Sequence, residues 1–242
     1  MIRDVGDRLT LVGVAHILPK SRLEVERAIA EKEPETVCVE LCPSRYLELT
    51  GQLDEDDRRI EISRAGILSR ILKFVQDKMA ERTGMLPGEE MLTAVERAEE
   101  MNSEIKLIDR NINITMHRLV NELSFRDKLS LLFEIVKSMI IEEGEMELND
   151  LTEEGTVEAL VESFRDLSEP AYRILIEERN DYMASKISRI MRTNTGNVVC
   201  VIGAGHVPGM IDRLEALKRK GDLDIWSDFS LEWEISRRAD NN

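Results

Sequence analysis

The stretch Val198-Val199-Cys200-Val201-Ile202-Gly203-Ala204-Gly205-His206 has a counterpart near the start of the chain, Leu9-Thr10-Leu11-Val12-Gly13-Val14-Ala15-His16. Each is a short apolar run that closes on Gly-x-x-His. A glycine leaving a strand permits a tight turn and close backbone approach. A histidine three residues on then stands just outside the strand's carboxyl end, the edge at which open α/β sheets bind ligands. The chain has three histidines, and two of them occupy these matching turns. Two imidazoles delivered by two strands to one edge point to a single site. His117, on an expected helix, reads as structural.

Outward from these turns, apolar runs at 9–14, 36–41, 104–109 and 197–203 read as buried strands, with a weaker fifth candidate at 224–226. Helical patterns separate them. Ser21 reads as an N-cap for a helix over 22–32, with Glu24 completing a capping box and Pro34 ending it. A second helix covers 89–101. Apolar stripes at helical spacing run through 58–81 and 125–142, and further helices cover 157–167 and 171–191, the latter opened by Pro170. The alternation predicts an α/β fold: a mostly parallel central sheet, flanking helices, and helical insertions at about 55–84 and 123–192 within a single domain spanning 1–242.

Composition narrows the function. At 242 residues and 42% hydrophobic, the chain can bury a sizeable core, and its net charge of −15 argues against a nucleic-acid or anionic-membrane partner. Three cysteines, Cys38, Cys42 and Cys200, make no disulfide framework and suit a reducing compartment. The polar N-terminus is no signal peptide, and no run of apolar residues is long enough to span a membrane. The expectation is a soluble cytoplasmic protein, with a small peptide or small molecule as substrate; a homodimer is compatible with this.

Each strand ends in polar residues. The run Val37-Cys38-Val39-Glu40-Leu41 carries Glu40, with Arg45 shortly after; the third strand ends in Asp109-Arg110-Asn111; the first and last give His16 and His206. A carboxylate in so apolar a run is costly unless it is paired or metal-bound. Glu40 is therefore either half of a buried ion pair, with Arg45 or Arg110, or a ligand. His16, Glu40 and His206 make a divalent-metal set for Mn²⁺, Co²⁺ or Zn²⁺, with the arginines free to hold a substrate carboxylate or an oxyanion. No H-E-x-x-H is present. Pro87-Gly88-Glu89-Glu90-Met91 opens a helix with carboxylates that suit its dipole. Glu178-Arg179-Asn180 lies in a helix with apolar neighbours.

Taken together and in order, Val12–His16, Cys38–Cys42 with Arg45, Pro87–Met91, Leu107–Asn111, Glu178–Asn180 and Val201–Val207 resemble the TraB/PrgY family, related to GumN and the Tiki proteins, and most like its archaeal branch. The resemblance implies a fold shared with erythromycin-esterase-like and ChaN-like proteins. It implies a metal-dependent peptidase or related hydrolase, with His16, Glu40 and His206 as metal ligands. Glu40, Arg45, Asp109, Arg110, Glu178 and Arg179 would be catalytic, and Gly13, Glu90, Gly203 and Gly205 would line the substrate. The family's bacterial namesake limits a peptide pheromone signal, so a peptide-sequestering protein on the same scaffold is the alternative. Haem or iron handling, from the ChaN likeness, is weaker, since no Tyr or Met closely flanks either turn. Asn180 stands where the resemblance leads one to expect Asp. Many archaeal relatives carry a C-terminal membrane region, and none is expected here.

Overall fold

A computed structural model describes residues 1–14, 19–52, 88–140 and 154–220. Its centre is the pair of Gly-closed runs, β2 (Leu9–Val14) and β5 (Val198–Gly203), lying side by side and parallel in register Val14 to Gly203. Beyond β5 come β3 (Thr36–Val39) and β4 (Glu104–Leu107), also parallel. The remaining edge is β1 (Ile2–Val5), antiparallel to β2, giving the order β1-β2-β5-β3-β4. This fifth strand was not expected; Ile2-Arg3-Asp4-Val5 is short and lacks apolar–polar alternation, and pairing with β2 is what makes it a strand. The fifth candidate at 224–226 lies outside the described residues.

Strands β2, β3 and β5 are buried on both faces, which is why they read as unbroken apolar runs. Alternate residues feed two cores. Leu9, Leu11, Cys38, Cys200 and Ile202 pack with Met183, Ile187 and Met210, while Val12, Val14, Val37, Val39, Val199 and Val201 pack with Val25, Ile29, Met91 and Val95. The second face is covered by α1 (Pro19–Lys32) and α3 (Glu89–Glu100); the first by α8 (Glu178–Thr193) and α9 (Val207–Lys220). The sheet is thus sandwiched between helical layers. Cys38 and Cys200 are register partners on it, both fully buried, and burial, then Cys38, pushes the Cys200 thiol up.

Helix α1 begins at Pro19, so Ser21 is a buried first-turn residue, not the N-cap. A short α2 (Pro43–Leu49) follows β3. After β4 come α4 (Ile112–Glu122), capped by the Asn111 side chain, α5 (Phe125–Ile140), α6 (Glu154–Leu167) and α7 (Glu169–Tyr172), whose N-cap Ser168 accepts from Ala171 N. The helices expected over 123–192 are therefore present where the chain is described, but the last of them, α8, is a layer of the sandwich. The expected helix over 58–81 lies outside the described residues. No helix among those described is long and apolar enough to cross a membrane.

One irregularity positions the site. The helix expected over 171–191 is broken by a π turn at Arg173–Glu177, directly before α8. An extra residue in one turn rotates the following helix by about 100° relative to an unbroken one. The buried stripe accordingly stops at Ile174 and resumes at Asn180, Met183, Ala184 and Ile187. The shift places Arg179 and Asn180 against the carboxyl edge of the sheet.

Candidate active site

Beyond β3, Glu40 remains tied to β5: its N–H donates to the Val201 carbonyl (3.0 Å) and its Oε2 accepts from Gly203 N (2.5 Å). Its side chain is 6% exposed. His206 sits in a short 3₁₀ turn, Ala204–His206, at the end of β5. Its Nε2 lies 3.3 Å from Glu40 Oε1. Its Nδ1 lies 2.7 Å from Asn180 Oδ1, a buried contact. A carboxamide oxygen can only accept, so this bond puts the proton on Nδ1 and leaves Nε2 as an acceptor, beside Glu40 and within reach of the Arg179 guanidinium.

Arg179 binds these groups together. Its Nη2 donates to Glu40 Oε1, and its Nη1 lies 3.1 Å from His206 Nε2. Its other edge makes a fork with Asp109, Nε to Oδ1 at 3.0 Å and Nη2 to Oδ2 at 2.9 Å. Nη1 also reaches the Leu175 carbonyl (3.2 Å), one of the acceptors of the π segment. Burial pulls the Arg179 pKa down, but the charges of Glu40 and then Asp109 outweigh it and raise it, so the guanidinium stays protonated. The buried Glu40 therefore does have an arginine partner, and that partner is Arg179, brought from 139 residues away.

The remaining candidates separate cleanly. Arg110, beside Asp109, turns the other way: it donates to Glu178 Oε2 (3.0 Å), Thr115 Oγ1 (3.2 Å) and the Ile174 carbonyl (3.3 Å). Arg118 joins Glu178 at 3.1 Å. Arg110 and Glu178 thus form a second cluster. Arg45 pairs with Glu48 one turn along α2 (2.6 Å). Glu90 is fully buried in the first turn of α3. His117 is exposed on α4, beside Asn121. His16 lies outside the described residues.

The glycines have distinct duties. A Cβ on Gly13 would lie 2.6 Å from Val207 Cγ2 and 3.3 Å from the Ala204 backbone, so only glycine lets β2 approach the turn that carries His206. Gly203 supplies the N–H held by Glu40. Gly205 is not under that pressure, since its Cβ would meet Val161 at an ordinary 3.5 Å. Gly209 was not singled out from the sequence, yet a Cβ there would lie 2.5 Å from Asn180 Nδ2. It makes room for the carboxamide that orients His206. Its proximity to a Gly-x-x-His turn was the one available signal.

Among the described residues, no group of three His, Cys, Asp or Glu side chains is arranged to hold a metal ion. Two of the expected ligands nevertheless have the spacing of adjacent ligands to one ion. Donors about 2.0–2.2 Å from a tetrahedral metal sit roughly 3.3 Å apart, and Glu40 Oε1 and His206 Nε2 are separated by 3.3 Å.

The fold and this edge define an α/β protein with a buried, charged site at the carboxyl ends of its parallel strands. The profile of the TraB/PrgY/gumN family matches residues 1–222, and the chain belongs to that family. It is 31% identical over 226 residues to an uncharacterized protein of Methanocaldococcus jannaschii, covering 89% of this chain and 55% of that one. It is 28% identical to the TraB domain-containing proteins of mouse and human, covering 87% of this chain and 63% of each. The chain therefore spans little more than half to about three-fifths of these relatives' lengths.

Proposed function

We propose that the chain is a metal-dependent hydrolase, a peptidase acting on a peptide or signal molecule, with its site at Glu40 and His206. The observation that carries this is the juxtaposition of a buried carboxylate and an imidazole lone pair, 3.3 Å apart, at the ligand-binding edge of the sheet. A divalent ion would take Glu40 and His206 as ligands, with His16 the expected third, and would supply an acidified water and a polarised carbonyl. Asn180 holds the imidazole in the tautomer that points Nε2 into the site. Gly203 N–H fixes one oxygen of Glu40 and leaves the other facing His206. Arg179, whose five N–H donors are spent on Asp109, Glu40, His206 and the Leu175 carbonyl, can hold a substrate carboxylate or a developing oxyanion by giving up one of these partners.

One observation favours the second reading, a peptide- or signal-binding protein without turnover: Arg179 engages Glu40 and His206 together, on the lone pairs that catalysis needs. Hydrolysis of a mixed peptide and ester library by wild type and Glu40→Gln decides between them. The hydrolase reading expects turnover to fall by about 10²–10⁴-fold, the scale of a lost general base. The binding reading expects none to lose.

A further inference from the structure

Arg179 stands where two of the expected metal ligands meet. Glu40 Oε1 and His206 Nε2 have the spacing of adjacent donors to one ion, and the Arg179 guanidinium bonds to both, Nη2 on the carboxylate and Nη1 on the imidazole. A lone pair that accepts an N–H cannot bind a metal at the same time. The guanidinium is permanently charged, so deprotonation cannot remove it. It must move or be displaced.

We infer that Arg179 and a divalent cation compete for one position between Glu40 and His206, so that Arg179 sets the affinity and timing of metal loading. This rests on the hydrolase reading above only for where the ion binds. The geometry supplies the second seat that such an exchange needs. Arg179 grips Asp109 through its Nε–Nη2 edge, and the hydrogens that reach Glu40 and His206 lie on the opposite Nη1–Nη2 edge. Swinging the Arg179–Asp109 pair as a unit can therefore release Glu40 and His206 without unpairing the guanidinium. Charge balance agrees: Glu40 and Asp109 together carry two negative charges against one guanidinium, which leaves one for an incoming cation. The Leu175 carbonyl, in the π turn, is a further anchor for Nη1. A substrate anion drawing on Arg179 would loosen its hold on the two ligands, coupling substrate arrival to metal loading.

The test uses the full chain, stripped of metal, and measures Zn²⁺ and Co²⁺ affinity by equilibrium dialysis and calorimetry. Arg179→Gln is expected to bind the ion roughly 10- to 100-fold more tightly than wild type, the range over which groups touching metal ligands alter affinity. Adding Glu40→Gln to that variant should remove the gain. A folded Arg179→Gln with wild-type or weaker affinity overturns the competition, as does absence of metal binding in both. Should Arg179→Gln fail to fold, Arg179→Lys, whose ammonium lacks the planar fork that spans Glu40 and His206 while holding Asp109, should still bind more tightly than wild type, and equal affinity overturns the inference. Wild type alone gives an independent reading: the Nη–H resonances of Arg179, which carry the bonds to Glu40 and His206, should shift as Zn²⁺ saturates the protein, and saturation that leaves them in place overturns the inference. Loss or survival of peptide turnover in Glu40→Gln judges the hydrolase reading separately, since none of these binding measurements requires turnover.

Discussion

Asp109 and Arg110 leave β4 side by side, and Glu178 and Arg179 are neighbours in α8, but their pairing is crossed: Asp109 holds Arg179, and Arg110 holds Glu178. The Arg110 cluster sets three guanidinium groups, Arg110, Arg118 and, at 3.9 Å, Arg173, on one carboxylate, and Arg110 spends its remaining donors on Thr115 and the Ile174 carbonyl. Those partners all belong to helices or to the turns joining them. The Arg179 cluster sets two carboxylates on one guanidinium and adds an imidazole from the sheet edge. One cluster ties helical segments together; the other is short of positive charge and lies at the sheet edge where open α/β folds commonly bind ligands. Similar ionic residues thus make a fastening in one place and a receptive site in the other, and the difference lies in which side carries the surplus charge and whether an imidazole faces it.

The largest effect should separate the two clusters by kind. Glu40→Gln should lose about 10²–10⁴-fold in turnover, read by initial rates on any substrate found in the library screen. A near-normal rate would reduce the Arg179 cluster to a second fastening. Arg110→Met should instead lose stability, by roughly 3–5 kcal/mol, because Glu178 is left without its buried partner. Denaturant unfolding measures this, and a loss below about 1 kcal/mol would mean that Arg118 and Arg173 satisfy Glu178 without it.

Next come the glycines that support the receptive cluster. Gly209→Ala should push on the Asn180 carboxamide and cost about 1–3 kcal/mol through overpacking. It should also disturb the His206 ring, visible as a change in its ¹⁵N resonances, whereas Gly205→Ala, with only ordinary contact at its Cβ, should leave them in place. Equal spectra for the two variants would detach Asn180 from the site.

The smallest effect is a surface reference for both clusters. Hydrogen bonds from Lys32, then Thr10, hold the exposed Asp4 carboxyl below its usual range. A depressed carboxylate contributes stability above its unfolded pKa, near 3.9, and loses it as pH falls through the folded value. Asp4→Asn should therefore change stability at neutral pH by less than about 1 kcal/mol and slightly flatten the acid limb of the stability–pH curve. A larger effect would show that surface pairs here rival the buried ones.

Much of this was written locally. The bounds of β2 and nearly those of β5 follow from apolar runs ended by glycine, and the family from motifs spread along the chain. That Glu40, Asp109 and His206 come together was readable because polar groups at the ends of buried strands gather at one edge of a parallel sheet. What sequence could not give was their partner. The Glu40 carboxylate needed a cation, but Arg45, Arg110 and Arg179 are indistinguishable as letters. Choosing among them depends on helical phase, and the phase of α8 is set by a π turn at Arg173–Glu177 that has no sequence signature of its own. The short β1 was likewise invisible, since four residues at a sheet edge become a strand only when β2 offers its hydrogen bonds.

The sequence by itself determined the sandwich, because doubly buried strands must be apolar throughout and the helices between them must cover both faces. It also determined which strand ends carry charge. Tertiary structure alone decided that Asp109 and Arg110 go to different clusters, that Asn180 fixes the tautomer of His206, and that Arg179 occupies the place between Glu40 and His206. Periodicity and burial are properties of a segment and its own residues. The pairing of charges is a property of where segments far apart in the chain meet, and no local pattern contains it.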